Sequence, residues 1–163
     1  FMGNEFGDPE WIDFPREGNK WSYKYARRQW ELADRDDLKY KYLGAFDNDM
    51  IHLLSSIKNF QALPINKLWD NDGDQILAFG RGEYIFIFNF NPVKSFADYG
   101  ILAPEGKYET VLDSDSKKYG GMGNVDDSVA HFTQHDALYA QDGKGWLKIY
   151  IPARTAIVLR REQ

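Results

Sequence analysis

Acidic and aromatic side chains alternate along residues 5–30, in a segment that contains few signals of regular structure. A sugar ring stacks its C–H face on a flat aromatic side chain, and carboxylates and amides hydrogen-bond to its hydroxyl groups. Small-ligand clefts are generally built from such aromatic side chains and a few convergent polar groups. The segment is therefore a candidate sugar-binding loop, although composition alone favours a loop that its aromatic residues pin over a neighbouring core. The candidate contact residues are Glu10, Trp11, Asp13, Arg16, Asn19 and Trp21.

Three other patterns suggest chemistry at first sight, and each has a simpler interpretation. The acidic run 70–74 has its glycine at the fourth position, where an EF-hand loop needs glycine at the sixth, so it is interpreted as a turn between domains. The glycine-rich run 119–124 has no lysine and no following helix, and we interpret it as a flexible surface loop. His131 and His135 lie in a strand-like region, where residues four apart do not share a face as they do on a helix. We expect no metal site.

The elements that position the candidate loop lie on either side of it. Residues 1–7 are predicted to form a strand that leads into the loop 8–21, which contains prolines and glycines. Apolar residues recur with a helical period over 22–33 and again over 37–58, which predicts two helices. The apolar residues recur with a helical period up to the turn at residues 71–74, and beyond that turn they recur with a period of two, as in strands.

The second part of the chain has the pattern of an antiparallel β domain. Residues 75–79 and 83–90 flank a glycine-containing turn and predict a hairpin whose second strand is covered on both faces. Several short strands separated by turn residues indicate a sandwich. The fold class is thus α+β, an all-β antiparallel sandwich preceded by a strand and helices. The further predicted strands are 97–102, 107–113, 128–133, 145–151 and 155–160.

Composition narrows the class of protein. The 163 residues include 11 Phe, 10 Tyr and 5 Trp, which is incompatible with intrinsic disorder. The net charge of −5 argues against a nucleic-acid surface, and the lack of cysteine excludes a disulfide scaffold and a cysteine nucleophile. No apolar run approaches the roughly 20 residues of a membrane span, so we expect no membrane partner.

Several stretches, in order, resemble 1,4-α-glucan branching enzymes of the α-amylase superfamily, and they look closer to the eukaryotic type than to the short bacterial type. The first resembles the end of the family's catalytic (β/α)8 barrel, and those after residue 88 resemble its C-terminal β domain. Asp8 departs from the pattern, because the family usually has histidine there. The stretches are residues 1–19 (FMGNEFGDPEWIDFPREGN), 21–23 (WSY), 26–30 (ARRQW), 37–43 (DLKYKYL), 88–92 (FNFNP), 95–99 (SFADY), 111–115 (VLDSD), 119–121 (YGG) and 152–156 (PARTA).

The resemblance implies a division into two parts. Residues 1–69 would be the C-terminal remnant of the barrel, with its last strand, a loop over the active site and the closing helices up to residue 58. Residues 70–163 would be the C-terminal β-sandwich domain. Part of the apolar surface of the remnant would then be buried against the rest of its own barrel, and in the isolated chain we expect it to be mobile or to drive non-native self-association.

The resemblance also implies an activity for the parent protein. Branching enzymes are retaining glycosyltransferases that cleave an α-1,4-glucan chain through a glycosyl-enzyme and transfer it to a 6-hydroxyl, which creates the α-1,6 branches of glycogen. Their nucleophile and acid/base precede the segment matched here, so we expect this fragment alone to be inactive. The implied partner is an α-glucan such as glycogen or amylose, the implied location is cytoplasmic, and no cofactor is implied. Two alternatives stay open, a glucan-binding accessory module and a fragment of a debranching enzyme or amylase.

Overall fold

The computed structural model describes residues 3–8, 12–27, 29–135 and 143–162. They divide into two compact units, which we call the N-terminal unit (Phe1–Leu53 with Lys118–Gly120) and the β unit (Leu54–Lys117 with Gly121–Gln163). The predicted domain boundary between residues 69 and 70 stays a prediction. None of the helices in the described ranges combines the length and the apolar character needed to cross a membrane.

The N-terminal unit is built around one long helix. After a single helical turn, α1 (Glu31–Asp34), helix α2 spans Tyr40–Ser56 and confirms the main part of the helix predicted over 37–58. Its predicted apolar stripe is half-buried, and the ring of Phe46 meets that of Tyr119 edge-on at 5.2 Å. Asp49 on the same helix accepts hydrogen bonds from the Tyr119 hydroxyl, at 2.5 Å, and from the Lys118 ammonium group.

The predicted strand over residues 1–7 is wrong for the part that the structure describes. Residues 3–7 form turns, in which Phe6 and Asp8 both donate backbone hydrogen bonds to the Gly3 carbonyl, at 3.3 and 2.9 Å. A barrel strand needs a neighbouring strand for its N–H and C=O groups, and local turns satisfy them here instead. Phe6 is nevertheless buried, with ring-centroid distances of 5.6 Å to Trp30 and 6.2 Å to Tyr40.

The helix predicted over 22–33 is also largely wrong. Among its described residues only the last turn, from Glu31, is helical, and residues 24–27 form turns and bends. The carbonyl of Tyr25 accepts a hydrogen bond from the Asp13 N–H at 3.1 Å, so it is engaged by the preceding loop and not by a helical neighbour. This non-local bond overrides the helical pattern of the apolar residues.

The β unit contains eight antiparallel strands that confirm the predicted β domain. The strands are β1 (Asn66–Asn71), β2 (Ile76–Arg81), β3 (Tyr84–Asn89), β4 (Phe96–Pro104), β5 (Lys107–Asp113), β6 (His131–Gln134), β7 (Lys144–Ile151) and β8 (Thr155–Arg161). They follow one another in the order β1-β2-β3-β8-β5-β6-β7-β4 across the sheet. Strand β6 connects the two layers, because His131 and Phe132 pair with β5 while Thr133 and Gln134 pair with β7.

The sheet folds over on itself and encloses one core. Side chains from six of the eight strands form a single buried cluster, and Ile87, Ile101 and Leu147 in it are fully inaccessible. The two ends of the sheet also meet, since Trp69 of β1 donates its indole N–H to the Tyr99 hydroxyl of β4 at 3.2 Å. Alternating apolar residues thus face inward from both layers, as in a sandwich.

Strand β1 is the element that sequence patterns missed. It lies in a stretch where helical periodicity was predicted, and it contains two charged residues and a bulge between Lys67 and Trp69. It becomes a strand because the turn at 72–75 folds it back onto β2 and because Leu68 and Trp69 pack against the core. The turn is therefore the connection of a hairpin within the β unit, and its interpretation as a turn between domains is wrong.

Candidate functional site

A compact hydrogen-bonded cluster occupies the predicted sugar-binding loop. The Asp13 carboxylate accepts the Arg16 Nε–H at 3.0 Å on Oδ1 and the Asn19 Nδ2–H at 3.1 Å on Oδ2. We call Asp13, Arg16 and Asn19 the clasp. The hydrogen bonds from Arg16 and Asn19 hold the pKa of Asp13 below its usual value, so this carboxyl group is ionised at neutral pH.

The clasp closes around a short 3-10 helix over Glu17–Asn19. Asn19 Oδ1 accepts the backbone N–H of Arg16 at 2.9 Å, and Asn19 Nδ2 donates to the Phe14 carbonyl at 3.0 Å as well as to Asp13. Gly18 allows the close approach of the Arg16 guanidinium, because a Cβ at this position would lie 2.6 Å from Arg16 Nη1. The loop is thus ordered by its own side chains.

Immediately after the clasp, two residues adopt left-handed backbone conformations. Lys20 has φ 54° and Trp21 has φ 60°, and neither is glycine or asparagine. This conformation costs a residue with a Cβ about 1–2 kcal/mol. It is held in place by backbone hydrogen bonds from Lys20 N–H to the Glu17 carbonyl at 2.9 Å and from Trp21 N–H to the Arg16 carbonyl at 3.0 Å.

Exposed aromatic residues lie within and next to the clasp in sequence. Trp21 and Phe14 each expose 66% of their surface, and Tyr23 exposes 73%. Large apolar side chains of this kind are more often buried, so this loop is a candidate contact surface. Aromatic faces beside hydrogen-bonding groups can stack on a sugar ring or on another flat amphipathic ligand.

The structure brings together three of the predicted site residues. Asp13, Arg16 and Asn19 form the clasp, and Trp21 follows it in sequence with its side chain exposed. Glu10 and Trp11 lie outside the described residues. In this loop the alternative of aromatics pinned over a core does not describe Trp21, because only a third of its surface is covered.

The other three patterns have structural roles. In the acidic turn, Asp74 accepts hydrogen bonds from Tyr99 at 3.2 Å and from Lys94 at 3.0 Å, so its carboxylate is neutralised by protein groups. His135 pairs with Glu105 at 2.5 Å, and burial lowers the pKa of His131. Across the described parts of the chain, no three potential ligands cluster as a metal site would require.

The glycine-rich loop depends on a carboxylate that sequence analysis missed. The buried Asp115 accepts the backbone N–H groups of Met122 and Asn124 at 3.1 and 2.6 Å, and its carbonyl accepts that of Gly123 at 2.7 Å. These amides therefore bind the carboxylate and are not presented to a phosphate. The available signal was an aspartate a few residues before a glycine-rich turn, because Asp side chains in turns often accept hydrogen bonds from nearby backbone N–H groups.

The β unit contains a surface hollow near the first hairpin. It has a volume of about 540 Å³ and is lined by Tyr84 and Tyr108 together with the cationic side chains of Lys67, Lys144 and Arg161. The Tyr108 hydroxyl donates to the Pro104 carbonyl at 2.6 Å, and burial raises the pKa of this phenol to about 12. Tyr108 is therefore a neutral structural group and not an acid or base at physiological pH.

Comparison with known proteins identifies the family. Residues 69–162 match the family model of the alpha amylase, C-terminal all-beta domain. The chain is 45% identical over 98% of its length to a 1,4-alpha-glucan-branching enzyme of Rhizophagus irregularis, of which it covers 23%. It is 42% identical over 99% of its length to the chloroplastic/amyloplastic 1,4-alpha-glucan-branching enzyme of Oryza sativa subsp. japonica, of which it covers 20%.

Among solved structures, the alpha-amylase from H. orenii aligns with 83% of this chain and 22% of its own, at 19% identity and a TM-score of 0.45. The chain spans less than a quarter of the length of the two branching enzymes named above. The match over residues 69–162 covers more than half of the chain and coincides with the eight-stranded unit. The chain therefore belongs to the alpha amylase C-terminal all-beta domain family, and along nearly its whole length it is similar to 1,4-alpha-glucan-branching enzymes.

Proposed function

We propose that this chain is the C-terminal part of a 1,4-α-glucan branching enzyme. The observation that carries the proposal is the extent of the similarity, which includes the residues before the family model as well as the β domain. A domain shared with amylases alone would give a match confined to residues 69–162. The N-terminal segment is instead shared with proteins that carry the name of one activity, in a fungus, a plant and a mammal.

In the proposed enzyme, this chain supports a reaction whose catalytic carboxylates lie elsewhere in the parent protein. A carboxylate displaces the glucan chain from its α-1,4 bond while a carboxylic acid protonates the departing oxygen. The 6-hydroxyl of another glucan then attacks the glycosyl-enzyme, gives up its proton to the same group and releases the carboxylate. No metal or organic cofactor takes part in this scheme. The β unit contributes a stable folded domain, and the loop at 12–21 contributes contacts to the glucan.

The cellular setting follows from the same proposal. Branching of α-1,4-glucan chains belongs to glycogen or storage-glucan synthesis, and we place the parent enzyme in the cytoplasm. The partners are the α-glucan and the rest of the catalytic barrel, against which part of the apolar surface of the N-terminal unit is buried. Without those groups, the 163-residue chain is expected to transfer no glucan chains.

Assay of the full-length protein tests the proposal and separates it from its rivals. A branching enzyme shifts the colour of the amylose–iodine complex and releases little reducing sugar, because each cleaved bond is replaced by a new one. A debranching enzyme or an amylase releases reducing ends in proportion to bonds cleaved, and a glucan-binding module changes neither signal. Appearance of reducing ends in step with the loss of colour would exclude the proposal.

A further inference from the structure

The clasp residues are largely engaged with one another. Asn19 uses both of its amide hydrogens, on Asp13 Oδ2 and on the Phe14 carbonyl, and its Oδ1 accepts the Arg16 N–H. An asparagine side chain has two donor hydrogens, so both donors of Asn19 are occupied. Both carboxylate oxygens of Asp13 likewise accept hydrogen bonds within the clasp. The Asn19 amide therefore has no free donor for a sugar hydroxyl, and the clasp bonds serve to hold the loop.

These bonds fix the backbone that carries Trp21. The Arg16 carbonyl accepts both the Asn19 N–H at 3.1 Å and the Trp21 N–H at 3.0 Å, so the turn is tied at its base. Lys20 and Trp21 then pass through two successive left-handed conformations. Residues with a Cβ persist in this region only where the surrounding contacts impose it, and such residues concentrate at functional sites.

In this conformation the indole of Trp21 is largely exposed. Trp21 exposes 66% of its surface although its backbone is hydrogen-bonded and its φ angle is imposed. A backbone that is already fixed loses little conformational freedom when a ligand stacks on the side chain it carries, which favours binding.

We propose that Trp21 is a stacking platform for an α-glucan chain and that Asp13 and Asn19 are positioning residues that hold it without binding the sugar. This assignment rests on the proposed function, from which the glucan class is taken. It also revises the sequence prediction for the loop, in which all of these residues were candidate contacts. Trp21 makes the contact, and the clasp determines where its ring lies.

A double-mutant cycle in the full-length protein tests the proposal. We expect Trp21→Ala to raise KM for the acceptor glucan about tenfold, the loss expected of an aromatic anchor, with little change in kcat. Asn19→Ala should raise KM by a similar factor, and Asn19→Ala/Trp21→Ala no further than Trp21→Ala alone. Multiplicative effects would mean that Asn19 binds the sugar independently, and the positioning role would be wrong.

A rescue and a matched control sharpen the result. Lys20→Gly removes the left-handed strain at that position, so adding it to Asn19→Ala should recover part of the lost affinity, which a missing sugar contact would not allow. Asp37→Asn breaks an exposed ion pair, with Arg35 in the same unit, and should leave KM unchanged. No recovery with Lys20→Gly would count against positioning.

A readout independent of activity separates this proposal from the proposed function. The indole N–H NMR signal of Trp21 in the full-length protein, assigned by its loss in Trp21→Phe, should shift when maltoheptaose is added. A shift in a protein without branching activity would overturn the proposed function and keep the platform. Branching activity with no shift, and with normal KM in Trp21→Ala, would overturn the platform and keep the function.

Discussion

The two units of this chain bury their aromatic and aliphatic residues very differently. In the β unit, Ile87, Ile101 and Leu147 are completely inaccessible within one shared core. In the N-terminal unit, Phe6 is the one hydrophobic side chain among the described residues that is buried to a similar degree, and Trp21 and Tyr23 are mostly exposed. A sheet folded on itself supplies its own partners for every inward-facing residue, whereas one helix with turns around it does not.

This difference assigns separate tasks to the two units. In the β unit the buried Asn89 is satisfied by groups of the same unit, because its Nδ2 donates to the carbonyls of Lys94 and Pro152 at 2.9 and 2.8 Å. In the N-terminal unit, the hydrogen bonds of the clasp order a loop whose aromatic side chains are exposed. Stability is therefore concentrated in one unit, and the candidate contact surface in the other.

Hydrogen exchange should show the contrast most strongly. Amides within Ile76–Arg81 and Tyr84–Asn89 belong to central paired strands and should exchange only on global unfolding. Amides of residues 12–27 should exchange through local opening, with protection lower by about 5 kcal/mol or more in free-energy terms. Equally slow exchange in both sets, in a monomeric sample, would show that the N-terminal unit is as stable as the sheet.

Leucine-to-alanine substitutions, one in each unit, should show a smaller difference between the units than hydrogen exchange does. Leu147→Ala leaves a cavity in the core and should lower the free energy of unfolding of the β unit by about 2–5 kcal/mol. Leu43→Ala removes a side chain that is 47% exposed and should cost less than about 1 kcal/mol. Urea denaturation followed by far-UV circular dichroism measures both values. Comparable losses would mean that the exposed Leu43 of α2 carries as much stability as a residue of the core.

The pH dependence of stability should show that ionisation of Asp113 destabilises the β unit. Burial raises the pKa of Asp113 from 3.8 to about 6. Between these values the folded state binds the proton more tightly than the unfolded state, so this group stabilises the fold at low pH and loses that contribution as the pH rises through 6. The loss amounts to at most about 3 kcal/mol, at about 1.4 kcal/mol for each pH unit between the two pKa values.

Asp113→Asn removes this titration and keeps an oxygen that can accept the Asp115 N–H, bonded here at 2.8 Å. Relative to the unsubstituted chain, the variant should therefore gain stability between pH 4 and pH 7.5. Denaturation curves of both chains across that range give the difference directly, and other carboxylates cancel from it. A difference that stayed constant with pH would show that Asp113 is ionised in both states.

Sequence patterns were most reliable where neighbours in sequence are also neighbours in space. The hairpin of Ile76–Arg81 and Tyr84–Asn89 and the helix Tyr40–Ser56 matched their predictions because turn residues and apolar periodicity act within a few residues. The strand over 1–7 failed because its pairing depends on other strands. Strand β1 was missed because its own sequence has little strand pattern. It is a strand because it pairs with β2.

The same distinction applies to the candidate site. The amino-acid types marked the loop around Asp13, Asn19 and Trp21, because carboxylate, amide and indole groups carry their chemistry wherever they lie. Which polar groups bind one another, and which ring stays in solvent, depends on a backbone that turns through Lys20 and Trp21 in left-handed conformations. Local residue types thus establish the available interactions, but three-dimensional proximity selects among them, because a hydrogen bond forms only between groups that the folded backbone brings within about 3 Å.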